Sequence, residues 1–159
     1  MLKIGVISDT HLKKVTQGLE EIYRKYLRNM DMILHAGDFV SVKVVEFLDQ
    51  GDFHGVYGNM DPPDVISMLP EKKVIEAGSQ RIGLIHGWGP AEGIEDRIWN
   101  KFSDVDIIVY GHSHSPANHA KEGVLLFNPG TAIGYDMSGP HSIGILEIDE
   151  TVRGKIVDI

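Results

Sequence analysis

At 159 residues, 42% apolar and 24% charged, the chain is long enough for one compact core and short for two. Having no cysteine, it has no disulfide, thiolate zinc site or cysteine nucleophile, and export finds no support, so a cytoplasmic location is expected. The formal net charge of −8, relieved only at Lys13-Lys14 and Lys72-Lys73, disfavours duplex nucleic acid as a partner.

The opening MLKIGVISDTHL passes directly into polar residues without a small-residue cleavage pattern. It reads as a buried first strand over residues 3–7 rather than a signal peptide. No apolar run approaches the roughly 20 residues of a membrane span. Over residues 16–30, Leu19, Ile22, Tyr23, Tyr26, Leu27 and Met30 share one helical face. Residues 32–35 read as a second strand, and Ser41 as the cap of a helix carrying Val44, Val45, Phe47 and Leu48. Residues 53–57 read as a third strand, and residues 64–68 as a short helix ended by Pro70. Residues 73–76 and 81–85 flank Ala77-Gly78-Ser79-Gln80 as a hairpin. A helix follows, with Ile94, Ile98, Trp99 and Phe102 inward and Glu92, Glu95 and Asp96 near its positive end. Residues 106–110 read as a buried strand, and residues 119–156 as short antiparallel strands at 124–127, 142–148 and 152–157. A β-α-β-α-β opening with a mostly β end predicts layered α/β/β/α architecture in one domain, residues 1–159.

Potential metal ligands fall just beyond the predicted strands. Asp9 and His11 follow the first, Asp38 the second, Asn59 the third, His86 the hairpin, and His112 and His114 the strand at 106–110. Each lies past a strand's carboxyl end, where α/β sheets gather their binding loops. Gly37, Gly58, Gly87 and Gly111 sit beside them, suiting tight turns or crowded backbone. Taken singly, Asp9 or Asp38 fits a helix cap and Asn59 a left-handed turn. Those readings do not explain the set. Imidazole nitrogen with carboxylate or amide oxygen, and no sulfur, suits Mn, Fe, Zn, Ni or Co better than Mg, Ca or copper(I). Seven candidates exceed one tetrahedral site and suit two ions sharing a carboxylate.

The series Asp9-x-His11, Gly37-Asp38, Gly58-Asn59, His86 and Gly111-His112-x-His114 resembles the calcineurin-like metallophosphoesterase superfamily, in particular its small single-domain bacterial and archaeal phosphodiesterases. The match runs from residue 4 to about residue 130 and includes Asn128-Pro129-Gly130-Thr131. The resemblance implies a four-layer α/β/β/α sandwich with mixed β-sheets flanked by helices. It implies two divalent ions, manganese being expected and nickel, iron, zinc or cobalt the alternatives. Asp9, His11 and His114 would hold the first and Asn59, His86 and His112 the second, with Asp38 bridging. The implied activity is hydrolysis of a small phosphodiester or phosphomonoester by in-line attack of a metal-bridging hydroxide. Asp38 and Asn59 would then be catalytic, with Asn59 also binding substrate.

Many members of the superfamily have His directly after the Gly-Asn pair, where it assists the leaving group. Here Met60 occupies that position, followed by Asp61. Met cannot transfer a proton, and Asp61 would need a raised pKa to do so. This predicts weaker chemistry on poor leaving groups and a preference for activated or phosphodiester substrates. Trp88 reads equally as a substrate-contacting pocket residue or as packing. His35 reads equally as a partner of the ligands or as core. His54, His119 and His141 read as hydrogen-bonded or partly exposed, Trp99 and Phe102 as core, and Lys72-Lys73 as a solvated strand end. Loops around Pro62-Pro63, Trp88 and residues 134–139 are expected to shape the pocket. Homo-oligomer formation is left open. The rival class is a catalytically weak or inactive protein-binding scaffold of the retromer-subunit type, which shares this fold but lacks the full ligand set. A nuclease acting on single-stranded ends is disfavoured by the acidic balance and the lack of a basic, aromatic-lined groove.

Overall fold

The computed structural model describes residues 1–133 and 139–159, so the pocket loop expected at 134–139 lies almost wholly outside the described residues. In chain order the elements are β1 (Leu2–Ile7), α1 (Gln17–Ile22), β2 (Met32–His35), α2 (Val42–Leu48), β3 (Phe53–Gly55), α3 (Pro63–Met68), β4 (Lys72–Ala77), β5 (Gln80–Ile85), α4 (Ile94–Trp99), β6 (Ile107–Val109), β7 (Ala117–Lys121), β8 (Val124–Asn128), β9 (Ser142–Ile148) and β10 (Val152–Asp158). They form two five-stranded sheets, ordered β10-β9-β1-β2-β3 and β4-β5-β6-β8-β7.

The period of two along each strand builds the layers. In β1, Ile4 and Val6 enter the core between the sheets, while Ile7 joins the layer under α1 and α2. Met32 and Leu34 of β2 point inward, and Ile33 outward. The second sheet repeats the pattern: Ile82, Leu84, Ile107 and Val109 face the first sheet, while Ile85, Ile108 and Tyr110 face Ile94 and Ile98 of α4. Both faces of the central strands are therefore covered, and the architecture is the expected four-layer α/β/β/α sandwich with mixed sheets.

Local signals set the helix starts. Thr16 accepts the Leu19 N–H at 3.3 Å, and Ser41 accepts that of Lys43 at 3.2 Å. The helix expected over residues 16–30 is not uniform. After Ile22 it widens into a π-helical turn, Tyr23–Leu27, where the Arg28 N–H bonds the Tyr23 carbonyl at 2.9 Å. The wider turn changes the angular step, keeping Leu27 buried and Tyr23, Tyr26 and Met30 against the same core.

The last third also departs from a purely antiparallel reading. β8 runs parallel to β6 and antiparallel to β7, whereas β9 and β10 cross back to the first sheet. Phe127 of β8 ties the two sheets together. Its fully buried ring lies on Gly144 of β9 and Gly154 of β10, where any Cβ would collide with it. Phe127→Ala should lower unfolding stability by about 3–5 kcal/mol. This would appear as a fall in urea midpoint with an unchanged slope.

Candidate metal centre

β1, β2 and β3 run parallel, as do β5, β6 and β8, so the loops after these strands leave each sheet at a common edge. Main-chain bonds stitch the loops together. The N–H groups of Asp9 and His11 reach the carbonyls of Gly37 and Asp38, both at 3.0 Å, and that of Gly111 reaches the His86 carbonyl at 3.1 Å. Thr131 Oγ1 donates to the Asp9 carbonyl at 2.8 Å. Asn128 Nδ2 donates to the Gly111 carbonyl at 3.1 Å, so the loop after β8 braces loops from both sheets.

All seven expected ligands converge at this seam. Around Asp9, Oδ1 lies 3.2 Å from His114 Nε2 and 3.5 Å from His11 Nε2. Asp38 Oδ2 stands 3.6 Å from His11 Nε2 and 3.2 Å from His86 Nε2, between the two groups. Asn59 Oδ1 is 3.1 Å from His86 Nε2 and 3.0 Å from His112 Nδ1, and those two nitrogens are 3.2 Å apart.

Four of the seven have their other polar atom engaged elsewhere. Asp9 Oδ2 accepts from Ser8 Oγ at 2.6 Å and from the His112 N–H at 3.1 Å. Its Oδ1 is buried without a hydrogen-bond partner. Asp38 Oδ1 accepts the Met60 N–H at 2.8 Å, directing Oδ2 at the histidines. The Ala36 carbonyl lies 2.7 Å from His86 Nδ1, and the Gly89 carbonyl 2.8 Å from His112 Nε2. A carbonyl only accepts, so those nitrogens carry the protons and the inward nitrogens present lone pairs. Lone pairs at about 3 Å spacing repel unless a proton or cation lies among them. The donor set therefore fits divalent ions of the Mn, Fe, Co, Ni and Zn type.

Without an ion, protons take that role. Burial would raise the Asp9 carboxyl, but His11, His114, His86 and Ser8 outweigh it and hold it far below the usual range. Burial likewise opposes charge on Asp38, yet His86 and the Met60 N–H lower its pKa. His86 is pushed down by burial and, more strongly, up by Asp38 and Asp9, and ends raised. The Asp9 carboxylate beside it is the main cause of the rise at His114.

Backbone geometry supports the crowding. Asp9, His11, Asp38, His112 and His114 all have φ between 48° and 68°, a region that costs a non-glycine residue about 1–2 kcal/mol. Gly58 and Gly111 provide room: a Cβ at Gly58 would strike Asp38 Oδ1, and one at Gly111 would strike Ser8 and Asp9.

Asp61, considered above as a leaving-group acid, has both oxygens turned to backbone. Its Oδ1 accepts the Val40 N–H at 2.7 Å, and its Oδ2 accepts those of Asp38 at 2.9 Å and Gly58 at 2.8 Å. Both oxygens face backbone, so this buried carboxylate positions the loops of Asp38 and Asn59. Burial raises its pKa, and the amides offset part of the rise. Met60 is exposed beside it.

Trp88 is 40% exposed, with Lys101 Nζ 5.1 Å from its ring centre. With Tyr57, Asn59, Glu71 and His86 it lines a cavity of about 190 Å³. His35 is fully buried, stacks on Phe39 at 3.6 Å, accepts the Gly37 N–H at Nδ1 and meets Thr10 Oγ1 from Nε2 at 3.2 Å. Burial lowers its pKa to about 3, so it is a neutral brace between the first two loops. Ser8, Thr10 and the roles of Asn128 and Thr131 were not apparent from the sequence. Ser8 and Thr10 flank Asp9 in the first loop, the one signal that marked them.

A two-sheet sandwich with Asp, His and Asn donors gathered at its loop edge defines a metallophosphoesterase. Residues 2–151 match the calcineurin-like phosphoesterase superfamily domain, and the chain belongs to that family. A probable metallophosphoesterase of Methanocaldococcus jannaschii is 31% identical, over 98% of this chain and 81% of its own. A phosphodiesterase of the same organism is 29% identical, over 98% and 99%. The crystal structure of Entamoeba histolytica Vps29 complexed with zinc superposes with a TM-score of 0.73 at 25% identity, covering 99% of each chain. No helix among the described residues is long and apolar enough to cross a membrane.

Two outcomes follow from this geometry. Asp61→Asn should destabilise the metal-free chain by about 2–3 kcal/mol, because an amide cannot accept from three N–H groups on two oxygens. A residue acting only as an acid would leave the chelated protein's urea midpoint unchanged. The second concerns pH. His86 and His114 have raised folded pKa values, so their stabilisation is present below the ordinary 6.5 and lost as pH rises through the raised values. In chelator, unfolding midpoints should decline above about pH 6.5. With manganese the slope should reverse, because proton loss favours ligation.

Proposed function

We propose that the chain is a phosphodiesterase working with two divalent ions, manganese foremost, on small phosphoester substrates. The observation that carries this reading is Asp38 Oδ2, set between His11 and His86 with its other oxygen held by the Met60 amide. Asp9, His11 and His114 would hold one ion and Asn59, His86 and His112 the other, with Asp38 shared. When bound, such a pair activates water for in-line attack on phosphorus and offsets phosphate charge.

The chain's own groups do the rest. Asp9 and Asp38 stay ionised near neutral pH, since their surroundings lower both pKa values. The proton on His112 Nε2 is held by the Gly89 carbonyl, and that on His86 Nδ1 by the Ala36 carbonyl, so neither imidazole turns away. Asn59 offers its oxygen inward and keeps its amide N–H groups for a phosphoryl oxygen. The cavity beside Asn59, with Tyr57 and Trp88 on its walls, suits an apolar or aromatic ester group. Met60 cannot supply a proton and Asp61 is engaged by backbone, so the reading favours leaving groups that depart as stable anions.

A scaffold role draws support from the fold shared with Vps29 and from an apolar groove of about 530 Å³ beside α1, walled by Leu12, Ile22, Tyr26 and Ile133. Turnover of bis(p-nitrophenyl) phosphate separates the two. The enzyme reading expects activity that chelator removes and manganese restores, with Asp38→Asn lowering kcat/KM by more than about a hundredfold. No hydrolysis with manganese, nickel, iron, zinc or cobalt would favour the scaffold.

A further inference from the structure

The second ligand group contains a dependence that extends beyond the ligands. His112 presents Nδ1 inward because its Nε2 proton is taken by the Gly89 carbonyl at 2.8 Å. Gly89 belongs to the loop between β5 and α4, which has no strand or helix bonds of its own to fix that carbonyl. Arg97, in α4, bonds the loop directly. Its Nε donates to the Trp88 carbonyl at 2.8 Å, Nη1 to the Glu92 carbonyl at 3.1 Å, and Nη2 to the Pro90 carbonyl.

The loop is moulded around this guanidinium. Gly89 has φ +79°, and a Cβ there would lie 3.1 Å from Arg97 Nε and 3.2 Å from Cζ. A Cβ on Gly93 would lie 3.2 Å from Nη1. The three carbonyls come from residues on both sides of Gly89, so its peptide is held at each end. A planar fork with five fixed donors can meet three diverging carbonyls, whereas an ammonium on a flexible stem cannot hold all three in one geometry. No acidic side chain bonds the guanidinium among the described contacts, so its hydrogen bonding is committed to main chain.

We propose that Arg97 is a positioning residue for His112. By fixing the loop around Gly89 it sets which ring nitrogen His112 turns inward, and with it the affinity of the second metal position. The metal consequence rests on the two-ion reading above; the tautomer consequence does not. Arg97 bonds the loop's carbonyls rather than His112 itself, and acts through the Gly89 carbonyl.

The first measurement uses metal-free protein and long-range ¹⁵N–¹H correlation of the histidine rings. Wild type should show His112 as the Nε2–H tautomer, and Arg97→Lys should shift it toward a mixture of both tautomers. His35, buried and neutral with Gly37 and Thr10 as its partners, should remain unchanged and serves as the internal control. Gly89→Ala perturbs the same carbonyl from the other side, and decides the matter should Arg97→Lys fail to fold. The second measurement is a manganese titration followed by calorimetry and electron paramagnetic resonance. Arg97→Lys should bind its first ion as wild type does and its second about 10–100-fold more weakly, with loss of the spin-coupled pair signal.

An unchanged His112 tautomer in both variants would overturn the proposal. So would equal weakening of both ions together with a change at His35, which would mark a general loosening of the fold. Wild type that takes up no pair of ions would instead sink the two-ion reading, leaving the ion-free tautomer comparison to decide Arg97.

Discussion

Two carboxylates organise this molecule, because each is held by main chain on one oxygen and left open on the other. Asp9 Oδ2 accepts from Ser8 in its own loop and from the His112 N–H across the sandwich. The same bond that aims Oδ1 at the histidines thus clasps the loop edges of the two sheets. Asp38 repeats the device with the Met60 amide, joining the loops after β2 and β3. Glycines at 58 and 111 follow from it, since backbone must pass within contact distance of these carboxylates. The sandwich supplies the stiffness: strands with both faces covered deliver loop ends to fixed positions.

That delivery is strained. Five of the seven expected ligands adopt left-handed backbone, and Val40, a β-branched residue, joins them at φ 77°. The Val40 N–H bonds Asp61, and the Asp38 N–H bonds the same carboxylate. Asp61 therefore anchors a turn that would otherwise be unfavourable. A fully buried neutral His35 performs the corresponding task between Thr10 and Gly37. Strain of this kind survives only where surrounding contacts over-determine it, and here they come from the loops after β1, β2 and β3.

How much of this was legible in the sequence follows from what each feature leaves in it. Strands covered on both faces leave continuous apolar runs, so β1, β2, β5 and β6 could be read, and with them the positions of the ligands just beyond. Partner choice leaves no such trace: the run at Val124–Asn128 is equally compatible with parallel and antiparallel neighbours, and its parallel pairing with β6 was missed. The π-helical turn after Ile22 was also invisible, because apolar spacing tolerates one wide turn. The backbone role of Asp61 was not legible for a further reason. A carboxylate two residues after Asn59 has the same sequence appearance whether it faces substrate or backbone, and only the fold brings the amides of Asp38 and Val40 to it. Arg97 lies on a short helix distant in sequence from His112, and its three carbonyl partners leave no pattern at all.

Charge links the acidic composition to the site. A chain of net charge −8 repels an anionic phosphoester at long range, and no basic cluster lies among the seven converging ligands. Two ionised carboxylates give the seam negative charge that, without cations, only protons on the neighbouring His86 and His114 offset. Placing a lysine or arginine there would relieve the repulsion permanently, but it would also lower the affinity for metal by like-charge repulsion. Arg97 is consistent with this constraint: its charge is spent on the carbonyls of Trp88, Pro90 and Glu92 rather than on the carboxylates of the seam.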